Sequence, residues 1–154
     1  MKKLTQIPFT KEGFDKIKND YEQLVLKRVP AVKELTRARE MGDLSENGLY
    51  KAARSQLSSI DAQLRKIKLH IKLGVVIDPT TVKTVQIGTS VKVLEDNDEK
   101  TYHIVGDLEA NPKENKISSK SPIGSALIGR NFGETAFIQT PKKKYSLKIL
   151  QISI

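Results

Sequence analysis

Residues 50–74 read YKAARSQLSSIDAQLRKIKLHIKLG, and this stretch decides the fold of the N-terminal half. Its apolar residues recur at alternating steps of three and four with no polar interruption, at Tyr50, Ala53, Leu57, Ile60, Leu64, Ile67 and Ile71. This heptad spacing places all of them on one face of an α-helix. Gly74 follows as a stop signal. The stretch therefore predicts one long helix with an apolar seam.

The same spacing occurs earlier in the chain and predicts a second long helix. Its apolar residues are Phe14, Ile17, Tyr21, Leu24, Ala31, Leu35 and Ala38, with Arg28 as the polar member of the series. Thr10 is a suitable N-cap. We expect Pro30 to kink this helix or loosen one turn rather than end it, because the heptad resumes in phase afterwards.

The connection between the two predicted helices is short. Only Gly42-Asp43-Leu44-Ser45 separates them, and a link of this length makes neighbouring helices run antiparallel with their seams facing each other. Thr10 to Met41 is 32 residues, so at 1.5 Å per residue the arm should extend about 45 Å. The sequence thus predicts that residues 1–74 form an antiparallel coiled-coil hairpin whose tip lies away from the rest of the protein.

After Gly74 the pattern changes to short β-type segments separated by turns. The segments are VVID at 75–78, TSVKVLE at 89–95, TYHIVG at 101–106, ETAFIQT at 134–140 and YSLKILQISI at 145–154. In SPIGSALIG at 121–129, Ser121 can cap a short helix, Pro122 suits its first position and Gly129 can close it. We therefore expect residues 75–154 to form an α+β domain with a mostly antiparallel sheet.

The amino-acid composition excludes some kinds of site and favours one kind of partner. The chain has 154 residues and no cysteine, which excludes disulfides, thiolate metal sites and thiol nucleophiles. The N-terminal MKKLTQIPFTKEGF lacks a long apolar run, so we expect neither a signal peptide nor a membrane anchor, and a cytoplasmic location. The net charge of +9 favours a polyanionic partner, and residues 1–74 carry most of it, with 16 Lys and Arg against 9 Asp and Glu.

Asp43 and Glu46 at the predicted tip have two interpretations. An aspartate N-cap followed three residues later by an acid is a capping-box arrangement, which would be purely structural. Capping does not explain the basic flanks, which are Arg37, Arg39, Lys51 and Arg54. Exposed carboxylates on a long basic arm can instead deliver metal ligands into a narrow, phosphate-lined site. Two carboxylates are too few for magnesium, so a partner would have to supply the remaining ligands.

Several motifs resemble one family in the same order along nearly the whole chain. They are IPFT at 7–10, AREMGDLSEN at 38–47 with YKAAR after it, VVID, YHIVGDLEA at 102–110, NKIS at 115–118, SPIGSALIG and QTP at 139–141. They resemble the bacterial GreA/GreB transcript cleavage factors. The resemblance implies an N-terminal coiled-coil finger, which enters the secondary channel of RNA polymerase, and an FKBP-like domain, which docks at the channel mouth.

The resemblance also implies roles for individual residues. Asp43 and Glu46 match the acidic pair that stabilises a second Mg²⁺ and its attacking water in the polymerase, which would assist two-metal hydrolysis of backtracked RNA. The protein would then have no active site or cofactor of its own, would share Mg²⁺ with bacterial RNA polymerase, and would act near the nascent RNA 3′ end as a monomer away from membranes. Expected polymerase or RNA contacts are Leu44, Ser45, Asn47, Lys51, Arg54, Arg37 and Arg39, and expected docking residues are Ser121, Pro122, Ile123 and Gly124.

Three alternative functions remain open. A regulator that occupies the polymerase channel without promoting cleavage would not need the Asp43 and Glu46 pair. A prolyl isomerase is suggested only by the FKBP-like fold, and its aromatic pocket is hard to assemble from the available aromatic residues, which are Tyr102, Phe132, Phe137 and Tyr145. Binding of free duplex by a basic coiled coil is disfavoured by the acidic tip.

Overall fold

The computed structural model describes residues 5–43 and 46–154. It contains two compact units, one of Asp15–Leu73 and the other of Gly74–Ile154 with the described part of Met1–Phe14. The sequence predicts that all of residues 1–74 belong to the hairpin. The first described residues belong instead with the C-terminal unit, because residues 7–9 form a strand that pairs there. No helix in the described part of the chain is long and apolar enough to cross a membrane.

Two long helices form the N-terminal hairpin, hereafter the arm: α1 spans Lys11–Glu40 and α2 spans Gly48–Leu73. Thr10 caps α1 as predicted, since its hydroxyl accepts a hydrogen bond from the Gly13 amide at 3.0 Å. Pro30 lies inside α1, and the helix continues past it. At 1.5 Å per residue, α1 is about 45 Å long.

The seam between α1 and α2 follows the predicted spacing. Its apolar residues are half-buried or buried, and the buried ones are Ala31, Ala38, Ala53 and Ile60. Arg28, the polar member of the series, is exposed, and its Nε lies 2.6 Å from Oδ1 of Asp61 on α2. The hydrogen bond from Arg28 lowers the pKa of Asp61. An ion pair thus joins the helices where the apolar series is interrupted.

The remaining described residues contain seven strands, one short α-helix and two 3₁₀ helices, the latter at Asp107–Glu109 and Pro112–Glu114. The strands are β1 (Ile7–Phe9), β2 (Gly74–Val76), β3 (Ser90–Glu95), β4 (Asp98–Val105), β5 (Lys116–Ser118), β6 (Thr135–Gln139) and β7 (Lys144–Ser153), and the helix α3 is Pro122–Leu127. One sheet has the order β5-β4-β3-β7-β6, with β4 and β5 parallel and the other pairs antiparallel. The predicted α+β fold with a mostly antiparallel sheet is confirmed. Strands β1 and β5 were not predicted.

The core of the C-terminal unit lies on one face of the five-stranded sheet. Alternate residues of β3, β6 and β7 point into it, and Leu127 of α3 contributes from outside the sheet. The buried cluster consists of Val85, Val91, Val93, Ile104, Leu127, Ala136, Ile138, Leu147, Ile149 and Ile152. The opposite face of β6 and β7 is exposed.

The strand before α1 and the strand after α2 form a second sheet, in which β1 pairs in parallel with β2. Beside this sheet, Oε2 of Glu109 accepts hydrogen bonds from the amides of Thr10 at 2.9 Å and Gly106 at 3.1 Å. A Cβ on Gly106 would lie 2.0 Å from the carbonyl oxygen of Pro8, so only glycine fits there. These contacts hold β1 and the start of α1 in the C-terminal unit.

Candidate functional site

The tip of the arm connects Glu40, the last residue of α1, to Gly48, the first of α2. Gly42 has a φ of +124°, a backbone conformation that favours glycine, so the chain can turn immediately after α1. Leu44 and Ser45, which the sequence analysis assigned to polymerase contact, lie outside the described residues. Because α1 ends at Glu40 and α2 begins at Gly48, seven residues connect the two helices, rather than the four that the sequence predicts.

Asn47 organises the described part of this connection. Its side-chain Oδ1 accepts a hydrogen bond from the Tyr50 amide at 3.1 Å, and its carbonyl accepts one from the Lys51 amide at 3.1 Å. Asn47 is therefore the N-cap of α2. Its side-chain Nδ2 also donates to the carbonyl of Ala38 at 2.8 Å, which ties the start of α2 to the last turn of α1. One amide group thus caps one helix and satisfies the end of the other.

Asp43 and Glu46 are both exposed, and neither lies in a helix. The capping-box interpretation of this pair is wrong for α2, because the N-cap position belongs to Asn47, four residues after Asp43. Glu46 precedes the cap and is therefore not in the first helical turn. The structure places the carboxylates where the sequence predicted, at the tip, and gives the capping role to a different residue.

The basic residues near the tip are exposed, but one of them has a clear intramolecular partner. The guanidinium carbon of Arg39 lies 5.9 Å from the centre of the Tyr50 ring, within the range of a cation–π contact. Tyr50 is half-buried at the seam, so Arg39 covers its outer side. Arg37, Lys51 and Arg54 have exposed side chains on the last turns of α1 and the first turns of α2. Their contact with polymerase or RNA stays a prediction.

The predicted docking segment forms the start of α3. The Ser121 hydroxyl accepts a hydrogen bond from the Gly124 amide at 3.0 Å, which makes Ser121 the N-cap. Gly124 is buried, and a Cβ there would lie 2.0 Å from the carbonyl oxygen of Ser118. Ile123 is half-buried against the core, so Pro122 is the exposed residue of the four. Three of them have structural roles, and docking stays a prediction.

The carboxylates do not form a complete metal site within this chain. No group of three or more His, Cys, Asp or Glu side chains suitable for a metal ion occurs in residues 5–43 and 46–154. Mg²⁺ takes near-octahedral oxygen coordination, so a pair such as Asp43 and Glu46 can contribute only part of a coordination shell.

Comparison with known proteins identifies the family. The model described as "Transcription elongation factor, N-terminal" matches residues 7–76, and the one described as "Transcription elongation factor, GreA/GreB, C-term" matches residues 79–154. The chain belongs to the GreA/GreB family of transcription elongation factors. The resemblance inferred from the motifs of the tip and of α3 is thus confirmed over both halves.

Two relatives named transcription elongation factor GreA agree with this assignment. Transcription elongation factor GreA of Thermodesulfovibrio yellowstonii is 38% identical over 153 residues, covering 96% of this chain and 97% of the relative. GreA of Caldanaerobacter subterraneus subsp. tengcongensis is 40% identical over 148 residues, covering 93% of this chain and 94% of the relative. The solved structure of GreA factor homolog 1 of Thermus thermophilus covers 97% of this chain and 99% of its own, with 23% identity and a TM-score of 0.46.

The structural role of Asn47 was missed by sequence reasoning, although a signal for it was present. Asparagine is among the strongest N-cap residues, and Asn47 stands directly before the first residue of α2. Asp43, with Glu46 three residues on, fits the same capping rule. Because both positions fit a local rule, only the hydrogen bond from Tyr50 distinguishes them.

Proposed function

We propose that this GreA/GreB-family protein stimulates Mg²⁺-dependent cleavage of nascent RNA in backtracked RNA polymerase complexes. The arm enters the secondary channel of the polymerase, and the C-terminal unit docks at its mouth. Asp43 and Glu46 reach the polymerase active centre at the end of the arm. The factor itself supplies ligands and positioning, and the polymerase supplies the active site.

One observation carries the assignment of the tip carboxylates. Asn47 caps α2, so the fold of the tip does not require Asp43 as an N-cap. Both carboxylates are exposed and lie outside the helices. An exposed anionic pair on a basic arm is suited to binding a cation inside a larger assembly.

The residues present fit a shared magnesium ion rather than a resident one. Asp43 and Glu46 each offer carboxylate oxygens, the ligands that Mg²⁺ prefers, and polymerase residues would complete the shell. A magnesium ion held there would activate water and stabilise charge on the phosphate. Arg37, Lys51 and Arg54 are exposed around the tip and would contact the phosphates of the extruded RNA.

The test is a cleavage assay on a stalled, backtracked elongation complex whose RNA is labelled at the 3′ end. Wild-type factor with Mg²⁺ should release short 3′ fragments. Asp43→Asn should reduce the cleavage rate about 10- to 100-fold, equivalent to about 1.4–2.8 kcal/mol in the barrier, because one anionic ligand is lost. Raising Mg²⁺ should restore part of the rate by mass action.

Asp20→Asn is the matched control, because Asp20 is an exposed aspartate on α1 far from the tip. It should cleave at the wild-type rate, and both variants should bind polymerase with wild-type affinity. Wild-type cleavage by Asp43→Asn at low Mg²⁺ would contradict the role of Asp43. Polymerase binding by the wild type without any released fragment would favour the alternative of a channel-binding regulator.

A further inference from the structure

One exposed surface of the C-terminal unit has no part in the proposed function. It comprises the outward-facing residues of the β6–β7 hairpin, and we call it the outer hairpin face. Its members are Phe137 and Gln139 on β6, and Lys144, Ser146 and Lys148 on β7, all of them exposed. Phe137 is 77% exposed, the highest value among the exposed large hydrophobic residues of the described chain.

Strand pairing fixes the geometry of this face. Phe137 lies directly opposite Ser146, while Gln139 lies opposite Lys144 and Thr135 opposite Lys148. Both lysines are therefore diagonal neighbours of Phe137, about 7–8 Å away between Cα atoms, one on each side along β7. The residues flanking Phe137 on its own strand, Ala136 and Ile138, point into the core and hold the strand in place. The backbone position of Phe137 is thus fixed, with one lysine on each side of it along β7.

The outer hairpin face contains two lysines and no carboxylate. Glu95 is bound by Lys100 at 2.7 Å and by Lys143 at 3.0 Å. Glu99 pairs with Lys92, and Glu134 accepts hydrogen bonds from Asn131. Glu95 and Glu99 are thus neutralised by lysines outside this face, whereas Asn131 leaves the charge of Glu134 in place. The two lysines of the face still outnumber Glu134, and the field around Phe137 favours an anion.

The combination of groups is suited to single-stranded nucleic acid rather than to a protein. A protein-binding core needs a patch of several apolar side chains, whereas here a single aromatic ring is surrounded by polar and cationic groups. One ring is enough to stack one base, and lysines beside it can contact the flanking phosphates. An open groove of about 390 Å³ adjoins the ring, lined by Phe137, Ile138, Gln139, Lys144, Tyr145 and Ser146.

We propose that the outer hairpin face binds single-stranded RNA. A base stacks on Phe137, Lys144 and Lys148 contact the phosphates on either side, and the Ser146 hydroxyl opposite the ring hydrogen-bonds a ribose 2′-hydroxyl, the group that distinguishes RNA from DNA. This interaction needs neither polymerase nor magnesium. Its test is therefore independent of the proposed function.

The experiment uses the full chain with Phe137→Trp as a fluorescent reporter, since the natural sequence contains no tryptophan. Single-stranded RNA of about twelve nucleotides is titrated in. Stacking on the indole should quench its fluorescence saturably. Phe132→Trp is the matched control, because Phe132 is 71% exposed but lies outside the strands. RNA that binds the basic arm alone would leave both reporters unchanged.

Removal of the lysines tests the phosphate contacts. In the Phe137→Trp background, Lys144→Gln with Lys148→Gln should flatten the slope of log affinity against log salt concentration by about 1.4, since each single-strand phosphate contact contributes about 0.7. Lys83→Gln with Lys113→Gln, also exposed, should leave it unchanged. Absence of quenching, or equal quenching of the Phe132→Trp control, would overturn the site. Equal quenching by DNA of the same sequence would overturn the assignment to RNA.

Discussion

The arm and the C-terminal unit bury their apolar residues in different ways. Between Asp15 and Leu73 the buried residues that the structure describes are Ala31, Ala38, Ala53 and Ile60, three of them alanine. The C-terminal unit instead encloses valine, leucine and isoleucine side chains between its sheet and α3. A two-helix seam is open to solvent on both sides, whereas the sheet core is closed. The arm therefore gains stability locally along its length, and the C-terminal unit gains it as a whole.

The largest expected effect comes from truncating a residue in the closed core. Leu147 is fully buried, so Leu147→Ala should lower the free energy of unfolding of the C-terminal unit by about 2–5 kcal/mol. Leu64→Ala in the half-buried seam should cost about 1 kcal/mol, because solvent and neighbouring side chains can fill the space. Hydrogen exchange measured separately for amides of the two units compares the losses. Equal losses would show that the seam is as closed as the core.

A smaller effect is expected at the edge of the core, where Glu95 connects three segments. Its carboxylate is bound by Lys100 of β4 and by Lys143, which directly precedes β7. Glu95→Ala should lower the free energy of unfolding of the C-terminal unit by about 1.5–3 kcal/mol. Urea denaturation monitored by hydrogen exchange of the amides in that unit measures the change. The stability of the arm should be unaffected.

The same contacts predict how stability depends on pH. Hydrogen bonds from Lys100 and Lys143 lower the pKa of Glu95 from its ordinary value of 4.5. Stability from the carboxylate should therefore be complete above about pH 4.5, where the unfolded group is also ionised, and be lost as the pH falls through the folded pKa. Glu95→Gln should remove this part of the acid sensitivity. An unchanged pH profile in that variant would assign the sensitivity to other carboxylates.

The smallest stability effect is expected at the tip, and it separates the two roles of one residue. Asn47→Ala removes both the cap of α2 and the bond to Ala38, and should cost about 1 kcal/mol. Asn47→Asp keeps the capping oxygen but cannot donate to the Ala38 carbonyl. Circular dichroism of thermal unfolding measures both variants. If Asn47→Asp is as unstable as Asn47→Ala, the bond between the helices matters more than the cap.

Local patterns were sufficient to predict the arm. A heptad repeat specifies helix, seam and pairing within a short stretch, so α1, α2 and their contact were predicted closely, and Thr10 was assigned as the N-cap. Strands β1 and β5 were missed because each has three residues and exists through pairing with a distant segment. Their sequences carry no period of their own. Assignment of β1 to the C-terminal unit therefore required the structure.

The candidate sites were predictable to different degrees. Asp43 and Glu46 were placed at the tip from the sequence, but the capping residue was not, since the bond from Asn47 to Ala38 joins residues on different helices. The outer hairpin face depends on the register that places Phe137 opposite Ser146. Alternation along one strand indicates which residues face outward, but it does not specify their neighbours on the next strand.

The parallel pairing of β1 with β2 also restricts how the arm can change in length during evolution. Ile7 lies opposite Gly74, so the chain leaves this sheet before α1 and returns to it after α2 on the neighbouring strand. Deleting seven residues from each helix keeps the apolar residues of α1 and α2 facing each other and keeps β1 beside β2. Deleting residues from one helix alone displaces its end by about 1.5 Å per residue and separates the strands. We therefore expect insertions and deletions to be tolerated when seven residues change in both helices together, so that the length of the arm changes in steps of about 10 Å.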